Sequence, residues 1–475
     1  MSLFASSSPQ EAACAKALRL PRELLIVWPG AFTTGWLGPT ARVLDIAHGL
    51  TALGWGASLL AGPVGRAFVS EARAASAEFP GPIRRTPFSR FGYPTWLDFS
   101  VMQKLSSVCG RSGLLHGDPE LGWGTRAAWW YLTSPGLGTP DLIWAVSDWT
   151  LSGPVAARLL AKQMECPWVL ELEDPWPAVG ARPSRRERES FAACLQSAAA
   201  IVTTTQSLTD RLASGYPACR EKMHTFHLTF DASVPRTTSP RDASCLRLVH
   251  VGSIYGGRRS AARSLISAIA QVQRSHLGAS GRIRLHLIGG GPRAEDLARW
   301  AAGRGLRESV FASPQVPPGE ALQAMDQADV LVVIKFADSR YHLQIPGKTF
   351  QYLGRGKPIL GMMEDCEAAE ILRRSGLGVT VKPDDVDGIA RRLLDCWRWR
   401  DDLPSVFVPD WDYIAGFSRD RLAQRLDTLF LELLAKQGGE SDIGFRLMSG
   451  DLAGGGSAVS DEADGAHIRG RSEPR

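Results

Sequence analysis

The sequence predicts an α/β protein built from two parallel-sheet units in tandem, and three observations carry this. Apolar runs of strand length, such as RELLIVW (22–28) and DVLVVIKF (329–336), alternate with longer segments of helical spacing. Most of these runs are apolar on both faces, as in parallel sheets covered by helices on both sides. The alternation stops at the polar stretch RTTSPRDAS (236–244) and starts afresh beyond it. A length of 475 residues accommodates this, since a domain takes about 100–200 residues.

The first unit opens with the strand 22–28, which runs into Pro29-Gly30 and a loop holding Gly35, Trp36, Gly38 and Pro39. A helix follows, with Ala41, Leu44, Ile46, Ala47, Leu50 and Leu53 on one stripe and Gly54 at its end. GASLLAG (56–62) then reads as a second strand, completing a βαβ opening. Between about 63 and 135 the period weakens among Gly, Pro and Trp, and no element is assigned. Order returns with the strand DLIWAVS (141–147), a helix through Val155–Lys162, the strand PWVLELED (167–174), a helix through Glu187–Gln196 and the strand AAAIVTTT (198–205).

In the second unit the strands are LRLVHVGS (246–253), IRLHLIGG (283–290), VFASPQV (310–316) and the run 329–336. Helices are expected over 260–274, 293–305 and 319–328, with KTFQYLGRG (348–356) and EAAEILRRSG (367–376) adding two more. The expected division is a loose N-terminus over 1–20, a first unit over 21–235, a linker over 236–244 and a second unit over 245–405. A helical segment over 406–437 can cross back to the first unit, and a Gly/Ser/acid-rich tail over 438–475 is expected to be disordered.

Composition narrows the function classes. The chain is 44% hydrophobic and 22% charged, which excludes collagen-like, wholly disordered and disulfide-stapled proteins. A net charge of +5 without a basic block argues against nucleic acid as a partner. The eight cysteines are scattered with no Cys-x-x-Cys pair, which supports neither a zinc site nor a disulfide framework and suits a reducing cytoplasm. No apolar run reaches bilayer length and the first twenty residues do not form a secretion signal. Arg84, Arg85 and Arg90 leave room for a peripheral contact at the inner membrane face, although solvated surface charge explains them as well. Eleven of the 15 Trp precede residue 177, which makes the first unit chemically distinct.

Ligands of open α/β sheets bind beyond the carboxyl ends of the strands, so the loops after them hold the chemistry. Gly252, Tyr255, Gly256 and Gly257 lead to Arg258 and Arg259 at the mouth of a helix. That combination seats a diphosphate, or is a plain turn with solvated arginines. Gly289–Gly291 lacks the last glycine of a dinucleotide fingerprint and reads as a tight turn, which disfavours a dehydrogenase. Pro346-Gly347 before a helix exposes backbone N–H groups, with Lys348 adding a cation there.

PGKTFQYLGRGKPIL followed by EAAEILRRSGLGVTVKPDD resembles the donor-binding half of family 4 glycosyltransferases, which have the two-domain GT-B architecture. VGSIYGGRR, LIGGGPRAEDL and ALQAMDQADVLVVI resemble the same family's successive segments, as do DLIWAVS, LELEDPW and AAAIVTTTQSLTDRL in the first half. The ordered resemblance spans roughly residues 22–437. It implies two Rossmann-like domains facing across a cleft, acceptor on the first and nucleotide sugar on the second.

The resemblance assigns Arg258, Arg259 and Lys348 to catalysis through the donor diphosphate, and Gly252, Tyr255, Gly289, Gly291, Pro346, Gly347 and Gln351 to donor binding. Gly35, Trp36, Asp148 and Asp174 are cleft candidates for the acceptor, the two Asp competing with capping and ion-pair roles. His116 is a weaker sugar contact, and Trp28, Trp36 and Trp176 are candidates to stack on sugar rings or to fill the core. The family's glutamate pair is replaced by Leu343 and Gln351, and His227–Asp231 stands where relatives often have Asn-Gly.

The implied reaction moves a sugar from a UDP- or GDP-linked donor to a sugar or lipid-linked acceptor with retention, without metal or cofactor, in polysaccharide or glycoconjugate synthesis. Two rivals remain: a GT-B epimerase or phosphorylase acting on the nucleotide sugar itself, and a degenerate glycosyltransferase-like binding subunit.

Overall fold

The structure, a computed structural model, describes residues 22–31, 38–64, 73–74, 76–88, 122–147, 151–177, 182–237, 242, 244–254, 257–277, 282–335 and 341–437. In the first unit β1 (Arg22–Val27) leads to α1 (Gly38–Ala52), β2 (Trp55–Ala61), β3 (Ile83–Arg85) and α2 (Trp123–Thr133). Then come β4 (Leu142–Ser147), α3 (Ser152–Met164), β5 (Trp168–Leu172), α4 (Arg185–Ser197), β6 (Ala200–Thr203), α5 (Gln206–Gly215) and β7 (Met223–Thr225). The seven strands form one parallel sheet in the order β3-β2-β1-β4-β5-β6-β7. Every residue of β4 and β5 is buried, as continuous apolar strands require, with Glu171 the one charged residue among them.

The second unit comprises β8 (Leu246–Val251), α6 (Arg258–Val272), β9 (Ile283–Ile288), α7 (Pro292–Ala302), β10 (Val310–Ser313) and α8 (Pro318–Gln327). β11 (Val330–Ile334), α9 (Lys348–Arg355), β12 (Ile359–Met362), α10 (Glu367–Arg374), β13 (Gly378–Val381) and α11 (Val386–Arg398) complete it. Its parallel sheet runs β10-β9-β8-β11-β12-β13. The expected two parallel-sheet α/β units are therefore present. Local chemistry sets several element ends. Ser184 and Glu187 form a capping box at the start of α4, and Gly356 in the left-handed region (φ 66°) closes α9.

The weakly periodic region contributes β3 at the sheet edge and α2, whose Trp123, Ala127 and Tyr131 lie buried at helical spacing. Beyond Leu403 the chain forms α12 (Trp411–Ala415) and α13 (Arg419–Gln437). The latter lies on the first unit, where Leu422, Leu426, Leu429, Phe430 and Leu433 join the core beside α1. Phe430 meets Trp55 and Trp144 at ring-centroid distances of 5.4 and 5.5 Å, and Trp55 Nε1 donates to Asp427 Oδ1 at 2.8 Å. The outward passage between units lies at 226–229, because Phe230 already packs in the second unit's core. Among the described residues no helix is long and apolar enough to cross a membrane.

Candidate active site

The order of the second sheet reverses between β8 and β11, so the crevice beyond their carboxyl ends is the expected ligand seat. Lys348, the first residue of α9, places its ammonium there. Its described partner is His250 Nε2 at 3.2 Å, on a wholly buried ring of β8. His250 Nδ1 lies 2.8 Å from the carbonyl of Val332. A carbonyl only accepts, so Nδ1 carries the proton and Nε2 faces the ammonium as acceptor. Burial, then the Lys348 charge, pushes the His250 pKa well down and keeps the ring neutral. Burial, then the like charge of Arg258, pushes Lys348 well below the usual ammonium range.

Gly252 makes room for this arrangement. Its φ of +111° is open to glycine, and a Cβ there would stand 2.9 Å from Lys348 Nζ. Gly289 (φ 74°) and Gly291 (φ 65°) shape the neighbouring turn. Arg258 and Arg259 open α6 on the far side; Arg258 Nη1 donates to the Ser253 carbonyl at 3.4 Å and Arg259 lies 3.8 Å from Asp296. α9 is tied to β8 by the Val251 N–H, which donates to the Tyr352 hydroxyl at 2.8 Å. Pro346 and Gly347 stand directly before α9, while Gln351 Nε2 donates to the Thr229 carbonyl at 3.2 Å. Leu343 packs against the first unit's core, and its carbonyl accepts from Thr205 Oγ1 at 2.8 Å.

The first unit meets this crevice through carboxylates. Asp174, just beyond β5, accepts from Gln344 Nε2 at 2.7 Å. Beside it, Glu173 Oε1 is buried without a hydrogen-bond partner among the described residues. Burial, then the charges of Glu171 and Asp174, raises the Glu173 pKa well above the usual carboxylate range. Glu367, opening α10 in the second unit, reaches across to α5. It accepts from the backbone N–H groups of Gln206 and Ser207 and from Ser207 Oγ, each at 2.8 Å, and faces His227 Nε2 at 2.8 Å. Burial alone would raise its pKa, but hydrogen bonds from His227, Ser207 and Gln206 outweigh that and hold it at about 2. This carboxylate satisfies N–H groups that a helix start otherwise leaves open.

Arg258, Arg259, Lys348, Gly252, Gly289, Gly291, Pro346 and Gly347 thus gather at one crevice, and Asp174 stands on the facing wall. Gly35, Trp36, His116, Asp148 and Tyr255 lie outside the described residues. Trp28 is 5% exposed within the core, and Trp176 stacks on Phe191 at 4.3 Å. Trp28 thus takes the core-filling alternative, and the partly buried Trp176 packs on Phe191. Sequence reasoning missed His250, Glu173 and Glu367, and named Lys335 only as the start of the loop 335–348. A signal was present for His250, which with Arg247 is one of two basic residues within the otherwise apolar strand LRLVHV.

Two doubly wound parallel sheets with a polar crevice at the second sheet's switch point form the GT-B architecture, and the family models place the chain among its glycosyltransferases. The chain belongs to family 4 of these enzymes. The family described as glycosyl transferases group 1 matches residues 245–398, and the glycosyl transferase 4-like domain matches residues 38–229. No curated protein matches the chain in sequence. A Rickettsia africae glycosyltransferase superposes with a TM-score of 0.60 at 10% identity, over 87% of this chain and 98% of that one. The sucrose-phosphate synthase of Thermosynechococcus elongatus gives 0.59 at 13% identity, over 87% and 100%. Anabaena HepE, solved in complex with UDP, gives 0.59 at 14% identity, over 86% and 100%.

Proposed function

We propose that this glycosyltransferase moves a sugar, with retention of configuration, from a nucleoside-diphosphate donor to a hydroxyl of a sugar or lipid-linked sugar, in polysaccharide or glycoconjugate synthesis. One observation carries the donor reading. Lys348 holds a partly buried ammonium against a neutral, wholly buried imidazole, with Arg258 and Arg259 at the next helix start and no carboxylate partner on Lys348 among the described residues. Burying a cation without an anion is costly, and a diphosphate supplies the missing charge. UDP bound to the fold relative HepE supports the same donor class.

In this reading Lys348, Arg258 and Arg259 stabilise the charge that grows on the diphosphate as the glycosidic bond breaks. The departing β-phosphate oxygen takes the acceptor's proton, the acceptor oxygen bonds to the anomeric carbon, and the nucleoside diphosphate leaves. Asp174 and the first unit's wall position the acceptor.

Titration calorimetry with UDP, GDP and their sugars, followed by mass-spectrometric detection of hydrolysis and of transfer onto cell extract, tests this. Donor binding with transfer is the expected result. Absence of binding to every nucleotide sinks the enzyme reading, and a product released without acceptor points instead to an epimerase or phosphorylase.

A further inference from the structure

Buried structural cations in this protein come with carboxylates. Arg42 has Glu171 at 2.7 Å, and Arg355 has Asp326 at 2.6 Å. Lys335 does not follow that pattern. It stands at the carboxyl end of β11, 2% exposed, and the partner of its ammonium among the described residues is the Cys366 thiol, Nζ to Sγ 3.3 Å. A thiol is a weak acceptor. Among the described residues the carboxylate that favours its charge is Glu367, whose oxygens already serve Gln206, Ser207 and His227. Burial pulls the Lys335 pKa down, with Arg258 adding like charge.

Lys335 at the end of β11 and Lys348 at the start of α9 turn to opposite flanks of β11. Lys348 faces β8 through His250 and lies under Gly252, whereas Lys335 faces the end of β12 through Cys366. On that second flank Glu367, next to Cys366 in the chain, reaches across to the backbone of Ser207 in the first unit at 2.8 Å.

We propose that Lys335 is a second oxyanion contact of the donor crevice, separate from Lys348, on the side where the transferred sugar lies. The inference rests on the nucleotide-sugar reading above. The oxyanion it takes is a carboxylate carried by the sugar, as in a uronic acid, or an outer oxygen of the β-phosphate. Either supplies the negative charge that no described residue places there.

The test is calorimetry of the full chain with pyrophosphate, UDP, UDP-glucose and UDP-glucuronate, comparing wild type, Lys335→Met, Lys335→Gln and Lys348→Met. Both Lys335 variants should lose at least about tenfold in affinity for one or more of these probes, about the size of a charge-assisted hydrogen bond. A loss confined to UDP-glucuronate assigns the contact to a sugar carboxylate; a loss shared by pyrophosphate and UDP assigns it to the β-phosphate. Wild-type binding that both variants retain within twofold overturns the inference and leaves the donor reading standing. Wild type binding none of the four probes overturns the donor reading, and the inference with it. Thermal unfolding without ligand separates a structural role. The Lys335→Met midpoint should match or exceed wild type, whereas a lowered midpoint with unchanged affinities makes Lys335 a packing residue.

Discussion

Replacing Arg42 by Met tests the buried ion pair that braces the first unit against the passage between units. Both side chains of the pair are wholly buried, with Arg42 Nε donating to Glu171 Oε1 at 2.7 Å. Nη1 and Nη2 donate to the carbonyls of His227 and Phe226 at 3.0 and 3.1 Å. Trp144 Nε1 donates to Glu171 Oε2 at 2.8 Å. The variant leaves the carboxylate in the core with the indole as its remaining donor and takes the guanidinium from two carbonyls. Breaking a buried pair in this way costs about 3–5 kcal/mol, a large part of a stability of about 5–15 kcal/mol. Urea unfolding followed by tryptophan fluorescence reads the loss. The double variant Arg42→Met/Glu171→Leu removes both charges and should recover at least half of it. A loss under about 1 kcal/mol for the single variant, or a double variant no more stable than the single, would refute the reasoning.

Gly252→Ala puts a methyl 2.9 Å from Lys348 Nζ at a φ of +111°; it should cost about 1–2 kcal/mol in thermal stability and weaken pyrophosphate binding in calorimetry. Lys348→Met removes a partly buried ammonium with no carboxylate partner among the described residues, so its ligand-free melting temperature should not fall while pyrophosphate affinity is lost. Glu367 has a folded pKa of about 2 against an ordinary 4.5. The depressed value means its stabilisation is complete above pH 4.5 and disappears as the pH falls towards 2. Wild type should therefore lose stability across that window in acid-unfolding titrations, and Glu367→Gln should show a flatter profile there and lower stability at pH 7.

The strands and the glycine turns were legible because their signals are local. VLVVI is apolar on every residue, and Gly289 and Gly291 follow IRLHLI at the point where the backbone must turn. The Lys348 seat was legible as a motif, Pro-Gly-Lys opening a helix, but its depth was not. Burial and the His250 contact depend on β8, nearly a hundred residues upstream. α2 escaped because its helical period is blurred by a run of Trp and Gly residues whose buried face is set by contact with α3.

The sequence by itself determined two α/β units, their order, and the loops that carry basic and glycine residues, since each follows from chain-local periodicity and backbone geometry. Tertiary structure decided which carboxylate meets which cation. Glu367 caps α5 from 160 positions away, and Arg42 finds Glu171 across 129. It also decided that α13 completes the first unit's core, because an apolar stripe states that a helix must be covered and not which surface covers it. The tryptophan-rich front half turns out to spend Trp28, Trp55, Trp123 and Trp144 on that core. Burial excludes water only once distant strands and helices have closed around a side chain, so the pKa shifts of Lys348, Lys335 and Glu173 arise only in the folded protein.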